Sequence, residues 1–163
     1  MSKGKAGKPG MVGVAMLGML GQGNEGGFTP AEGTNGGTAI GTVSGAGGGG
    51  ASQAGNPNGV GGNGTASSIS GSPVTYAGGG GGQACPGGAG GGGGFNTAGT
   101  VNTGGGGSGG DTATGKDGGS GIVIVAYPGQ QRAVGGNVTC ACGTTIHTFT
   151  VSGNLCFCSS CIY

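Results

Sequence analysis

Hydrophobic side chains are spread very unevenly along this 163-residue chain, and three stretches concentrate them: MVGVAMLGML (residues 11–20), GIVIVAY (121–127) and NVTCACGTTIHTFTVSGNLCFC (137–158). The run Ile122–Tyr127 is continuous, short and β-branched, which predicts a strand buried on both faces. Residues 137–158 read as β-branched and aromatic strands broken at Gly143 and at the Ser-Gly-Asn turn of 152–154. The first stretch follows Lys3, Lys5 and Lys8 and is similar to the leading regions of a signal peptide, but no A-x-A cleavage pattern comes after it. It is shorter than the roughly 20 residues that span a bilayer and is interrupted by Gly13 and Gly18. No membrane span is expected, and a segment buried in an assembly contact is the preferred reading.

Between these stretches lie polar turn residues and glycine runs at 47–50, 78–82, 90–94 and 104–107. A collagen helix would need a strict G-X-Y period and many prolines, whereas these runs are broken irregularly and six prolines occur in all. Ordered polyglycine has another option, a bundle of polyproline II helices with three residues per turn and no internal hydrogen bonds. Every amide must then be satisfied by a neighbouring helix, an approach that only glycine permits, supplemented by weak Cα–H···O contacts. Turns fall at NPNG (56–59), ACPGG (84–88) and the Asn/Thr/Ser clusters. The expected fold is therefore irregular/all-β: a glycine-rich polyproline II sandwich with a small C-terminal β element and no significant α-helix. The expected organisation is an N-terminal attachment or assembly segment (1–45), a slab (46–121) and a β-strand, cysteine-rich element (122–163) that closes it.

Composition sharpens the energetic problem. Glycine supplies 52 residues, charged residues only 6% and aromatics 4%, with no tryptophan. Each glycine loses roughly 0.5–1 kcal/mol more than alanine on ordering, so many repeated lateral amide bonds must offset a large entropy loss. The flexible-coil alternative for Gly/Ser-rich chains lacks the high net charge usual in disorder, because the formal charge is +1. The same near-neutrality argues against nucleic-acid binding, which needs a basic patch.

Four phrases, GGNGTASSISGSPVTYAGGGGG (61–82), GTVNTGGGG (99–107), GGSGIVIVAYP (118–128) and TIHTFTVSGN (145–154), together resemble the glycine-rich module of tailed-bacteriophage tail fibres and adhesin-type virion proteins. The resemblance covers about residues 46–154. It implies a non-enzymatic structural protein on the virion surface, at a fibre tip or appendage, whose loops recognise a host surface. Other virion proteins and a bacterial surface protein or glycan are the implied partners, with a homo-oligomer among the options. Two departures stand out: Ala126 occupies a place where the module commonly has Arg, and IHTFT follows the closing strand instead of opening a module. A capsid or tail decoration (cementing) protein is the alternative within virions. A glycine-rich ice-binding protein is the alternative outside them, although the G-x-x period of such slabs is absent.

Loops held by a rigid frame are where recognition residues sit. Tyr76, Phe95, Asn96 and Asn102 are the receptor-contact candidates, since aromatics flanked by Ser, Gly and Asn make adaptable contact surfaces; capping of the slab edge is the plainer role for Tyr76 and Phe95. Cys140, Cys142, Cys156, Cys158 and Cys161 form C-x-C and C-x-C-x2-C patterns, with Cys85 remote. Strand alternation would put Cys140 and Cys142 on one face and Cys156 and Cys158 on one face. Disulfides, free thiols and a structural metal all remain open for this cluster, and no other cofactor is expected. His147 has no second histidine or carboxylate near it in sequence and reads as a strand residue. Hydroxyls abound without a positioned base, so no nucleophile constellation is present. Asp111 and Asp117 do not match a calcium-loop pattern and read as turn aspartates. Asn63 and Asn137 head N-x-[ST] sequons, which matter only in a glycosylating secretory pathway.

Overall fold

The computed structural model describes residues 32–40, 45–82, 84–110 and 114–157, and these divide into two compact units. The apolar stretch 11–20, expected in an assembly contact, lies outside the described residues. Described residues up to Ala66, with Thr75–Ser120, form the first unit; Ser67–Val74 and those from Gly121 onward form the second. Among the described residues there is no helix, and so none long and apolar enough to cross a membrane. All regular structure is short antiparallel β: β1 (Thr65–Ser67), β2 (Val74–Tyr76), β3 (Val123–Pro128), β4 (Ala133–Val134), β5 (Asn137–Ala141), β6 (Thr144–Phe149) and β7 (Cys156–Phe157).

The first unit is held together by backbone amides. Its central tract, 77–82, shows the rule. Gly78 and Gly81 donate to the carbonyls of Gly90 and Gly93 (3.0 and 2.9 Å), while Gly79 and Gly82 donate to those of Gly62 and Gly59 (2.8 and 2.6 Å). From other sides, Gly48 and Ala51 donate into the tract at Gly80 and Ala77 (2.8 and 2.9 Å), and Gly106 and Gly109 donate at Gly78 and Gly81 (2.9 and 2.8 Å). Bonds between any two tracts thus recur every third residue. A β-ladder would repeat every second residue. Consecutive amides also turn to different neighbours: Ala77 to Thr103, Gly78 to Gly90, Gly79 to Gly62.

The same three-residue step joins outer tracts. Lys116 and Gly119 donate to Ser108 and Gly105 (2.9 and 2.7 Å), and Gly61 and Gly64 donate to Pro86 and Ala89 (3.0 and 2.8 Å). Residues 34–37, read from the sequence as part of the N-terminal segment, belong to this network, since Thr34 and Gly37 donate to Gly50 and Gly47 (3.1 and 2.9 Å). Glycine is obligatory here because the tracts nearly touch. A Cβ at Gly47, Gly62, Gly79 or Gly80 would fall well under 3.0 Å from a neighbouring backbone carbonyl, a separation real Cβ atoms do not adopt.

The second unit contains a three-stranded sheet in the order β3-β6-β5 and a two-stranded ladder of β4 and β7. A two-residue turn, Cys142-Gly143, closes the β5–β6 hairpin with φ of 48° and 75°; both values positive is the type I′ condition that suits the twist of paired strands. The register places Val125 beside His147 and Val138 in one row, and Ala126 beside Ile146 and Thr139 in the next.

The strand expected over 122–127 is present as β3, but not in the expected position. It lies at the sheet's edge, with Val123 60% exposed, and the strand buried on both faces is β6, where Thr145, Ile146 and His147 are 0–2% exposed. The reason is connectivity: β6 receives β5 through the tight turn on one side and β3 on the other, so only β6 has neighbours on both edges. Its polar residues tolerate burial because each is hydrogen-bonded.

Candidate functional site: the loop ends of the glycine-rich unit

The turns that join the tracts of the first unit gather at two ends. At one, the hairpin end, the chain passes into β1 and returns through β2, and the turns near 52–53, 89–91 and 100–103 cluster. Ser52 Oγ donates there to the carbonyls of Gly64 (2.7 Å) and Asn63 (3.2 Å), Asn63 Oδ1 accepts from the Ala89 amide (2.9 Å), and Asn102 N–H donates to Ser120 Oγ (2.9 Å). At the opposite end lie the turns 56–59, 82–86 and 94–97. Asn58 N–H donates to Asn56 Oδ1 (2.8 Å), Cys85 Sγ donates to the Asn58 carbonyl (3.1 Å), and Phe95 N–H donates to the Cys85 carbonyl (3.1 Å). Thr97 Oγ1 closes its own turn on the Gly94 carbonyl.

The four receptor-contact candidates do not form one surface. Tyr76, half-buried in β2, and Asn102 are at the hairpin end, since the adjacent residues Ala77 and Thr103 are hydrogen-bonded (2.8 Å). Phe95 and Asn96 are at the opposite end. Both asparagines also serve their own turns, because Asn96 and Asn102 have φ of 57° and 59°, the left-handed region that asparagine tolerates better than other side chains. Asn102 Oδ1 is further occupied by Ser120 Oγ (3.1 Å). Phe95 is different. It is 52% exposed, its backbone is fixed by Cys85, and its ring is free to meet a partner.

The turns at this end carry, besides Phe95, Asn56, Pro57, Asn58, Pro86 and Asn96, all polar or turn-forming and none charged. Such a surface can stack against a flat group and offer amide hydrogen bonds; it contains no paired acid and base. Sequence reading did not single out the 56–59 and 84–86 turns as contact surfaces, although NPNG and ACPGG mark them as turns.

The cysteine expectations meet a different geometry. Cys140 sits in β5, but Cys142 occupies the turn, so strand alternation does not put the two on one face. Cys156 lies in β7, paired with Val134 of β4 and not with β5. Cys140, Cys142 and Cys156 are exposed free thiols and Cys85 is a half-buried one; Cys158 and Cys161 lie outside the described residues, as does Asp111. Among the described residues no three His, Cys, Asp or Glu side chains gather in a way that could hold a metal ion. Asp117 is exposed, and its carbonyl accepts from Gly99 (2.9 Å).

His147, expected as a strand residue, is buried in β6. Its Nδ1 lies 2.8 Å from the Gly135 carbonyl and must donate to it, which leaves Nε2 to accept from the Tyr127 hydroxyl (2.9 Å). That hydroxyl in turn accepts from the amides of Arg132 and Ala133 (2.9 and 3.1 Å). Every hydrogen-bonding position of the phenol and both ring nitrogens are used, so the pair ties 132–135 to the sheet and has nothing left for substrate. Beside it, an open groove of about 250 Å³ lies among Val123, Val125, Phe149, Val151 and Leu155, with Ser152 as its side-chain polar group. It has room for an apolar side chain. No family model matches the chain, and neither a curated protein nor a solved structure matches it.

Proposed function

We propose that this chain is a non-enzymatic structural protein of a tailed-phage particle, an adhesin at a fibre tip or appendage. Its first unit is a polyproline II sandwich that presents the Phe95 end to the host surface. The three-residue repeat of lateral amide bonds supports the sandwich, because a helix with three residues per turn and no internal bonds directs successive amides to three neighbours. The four sequence phrases support the virion assignment. The observation that carries recognition is the pairing of an exposed aromatic with a frame stiff enough to hold it: Phe95 stands 52% exposed on a turn whose flanks enter the amide network.

The test is adsorption. Purified chain added to host cells should compete with phage particles for attachment, and Phe95→Ala should weaken that competition by at least about tenfold, the loss expected for an aromatic anchor. Gly121→Ala, in the second unit and at a position where an added Cβ would meet nothing within 4 Å, should compete like the parent. If neither protein competes, and particles lacking the chain adsorb normally but fall apart sooner on heating, the decoration role replaces the adhesin. Thermal hysteresis in the purified chain would point instead to ice binding.

A further inference from the structure

The second unit leaves a β-edge open, and its sequence does nothing to guard it. In a hairpin with a two-residue loop the flanking residues, here Ala141 and Thr144, form a hydrogen-bonded pair, and pairs then alternate. Thr139 and Asn137 therefore bond to β6, opposite Ile146 and Thr148, whereas the amides and carbonyls of Val138 and Cys140 point outward. No strand pairs with that side among the described residues. Natural sheets protect such edges with lysine, proline, bulges or a covering segment. Strand β3, at the other edge, ends in Pro128, but Asn137–Ala141 contains neither charge nor proline, and Asn137, Thr139 and Cys140 are exposed. Across the described residues of the unit, Arg132 is the one charged side chain.

We propose that this edge is a homodimer interface, in which β5 pairs antiparallel with β5 of a second copy about a two-fold axis through Thr139. In that register Val138 faces Cys140 of the second copy and the reverse, so all four outward amide and carbonyl groups of each strand are bonded. Thr139 meets its own counterpart in a non-hydrogen-bonded pair, with Cα atoms about 4.5 Å apart, where threonine hydroxyls pair favourably. A second copy suits the edge better than a foreign strand because the uncharged segment is self-complementary: one isologous register satisfies both partners, with no like charges opposed. The inference is independent of the adhesin reading.

Light scattering on the full chain, run in reductant so that the exposed thiols cannot cross-link it, should give a concentration-dependent dimer. Thr139→Lys and Thr139→Glu should each raise the dissociation constant at least about tenfold by opposing like charges on the axis. An equimolar mixture of the two should recover the dimer, which also shows that both variants fold. A wild type that stays monomeric would overturn the proposal. So would a dimer indifferent to Thr139→Lys, or a mixture that remains monomeric.

Discussion

A methyl group added at Gly80 would occupy the place of the Gly107 carbonyl oxygen, and one added at Gly79 that of Gly48. Neither obstacle is a side-chain tip that can swing away: the Gly48 carbonyl is bonded to Gly62, and Gly107 is held between Gly106 and Ser108, whose amides are bonded to Gly78 and Thr97. Overpacking against such atoms costs about 3 kcal/mol or more. Gly80→Ala should accordingly lower the melting temperature of the first unit steeply in calorimetry. Gly115→Ala is the contrast: its Cβ would meet only Ser108 O, at an ordinary 3.5 Å, and by restricting the unfolded chain it should be neutral or stabilise by up to about 1 kcal/mol. The reverse exchange applies where alanine is strained. Ala77 and Ala84 both have φ of 59°, a region costing non-glycine residues about 1–2 kcal/mol. Replacing either with glycine should stabilise the unit by about 1 kcal/mol, once glycine's greater unfolded entropy is subtracted, and a shifted denaturation midpoint would register it. A drop in stability instead would mean that the methyl group makes a packing contribution larger than the strain.

At the scale of elements, the Cys142-Gly143 turn and the Tyr127–His147 tie govern the second unit. Asn-Gly is the preferred type I′ pair, so Cys142→Asn should raise the unit's stability by about 0.5–1 kcal/mol while removing one exposed thiol, as read by chemical denaturation. Tyr127→Phe should act in the opposite sense. It strands the Ala133 amide and the Nε2 of His147, both in residues 0% exposed, whereas the Arg132 amide is at an exposed site where water can replace the phenol. Unsatisfied buried groups cost about 1–3 kcal/mol each, so a loss of about 2–4 kcal/mol is expected. A loss below about 1 kcal/mol would show that water reaches the two buried groups as well. Much of this unit was legible in advance: β-branched runs marked the strands, and Gly143 marked the turn. What the pattern could not reveal was which strand takes the centre. IVIV looks more buried than TTIHTF because hydrophobicity is the visible signal. Burial of Thr145 and His147, however, depends on partners, the Gly129 carbonyl (2.7 Å) for the threonine and Gly135 with Tyr127 for the histidine, that lie 12 to 20 residues away. The glycine tracts were harder still. With no side chains, nothing local says which tract meets which, and so Asn96 and Asn102, alike in their surroundings, could not be assigned to opposite ends.

For the whole molecule, the unusual quantity is how little apolar side chain is removed from water. Among the described residues, Ala46, Ala133 and Ile146 are the buried hydrophobic ones, while Ile40, Val101, Val151 and Phe157 stay more than 60% exposed. What folding buries instead is amide surface, in bonds that each contribute about 0.5–1.5 kcal/mol net. These two kinds of surface have opposite heat-capacity signs, since exposing apolar area raises the heat capacity and exposing polar area lowers it. Unfolding this chain should therefore show a heat-capacity increment well below the roughly 12–15 cal/mol/K per residue of ordinary globular proteins. A small increment keeps enthalpy and entropy nearly constant with temperature and removes most of the curvature, so stability should keep rising as the protein is cooled below its melting temperature instead of passing through a maximum at about 10–20 °C. Scanning calorimetry at several pH values gives the increment from the slope of enthalpy against melting temperature. A slope at the ordinary globular value would mean that side-chain burial, and not the lateral pairing of glycine backbones, holds the structure together.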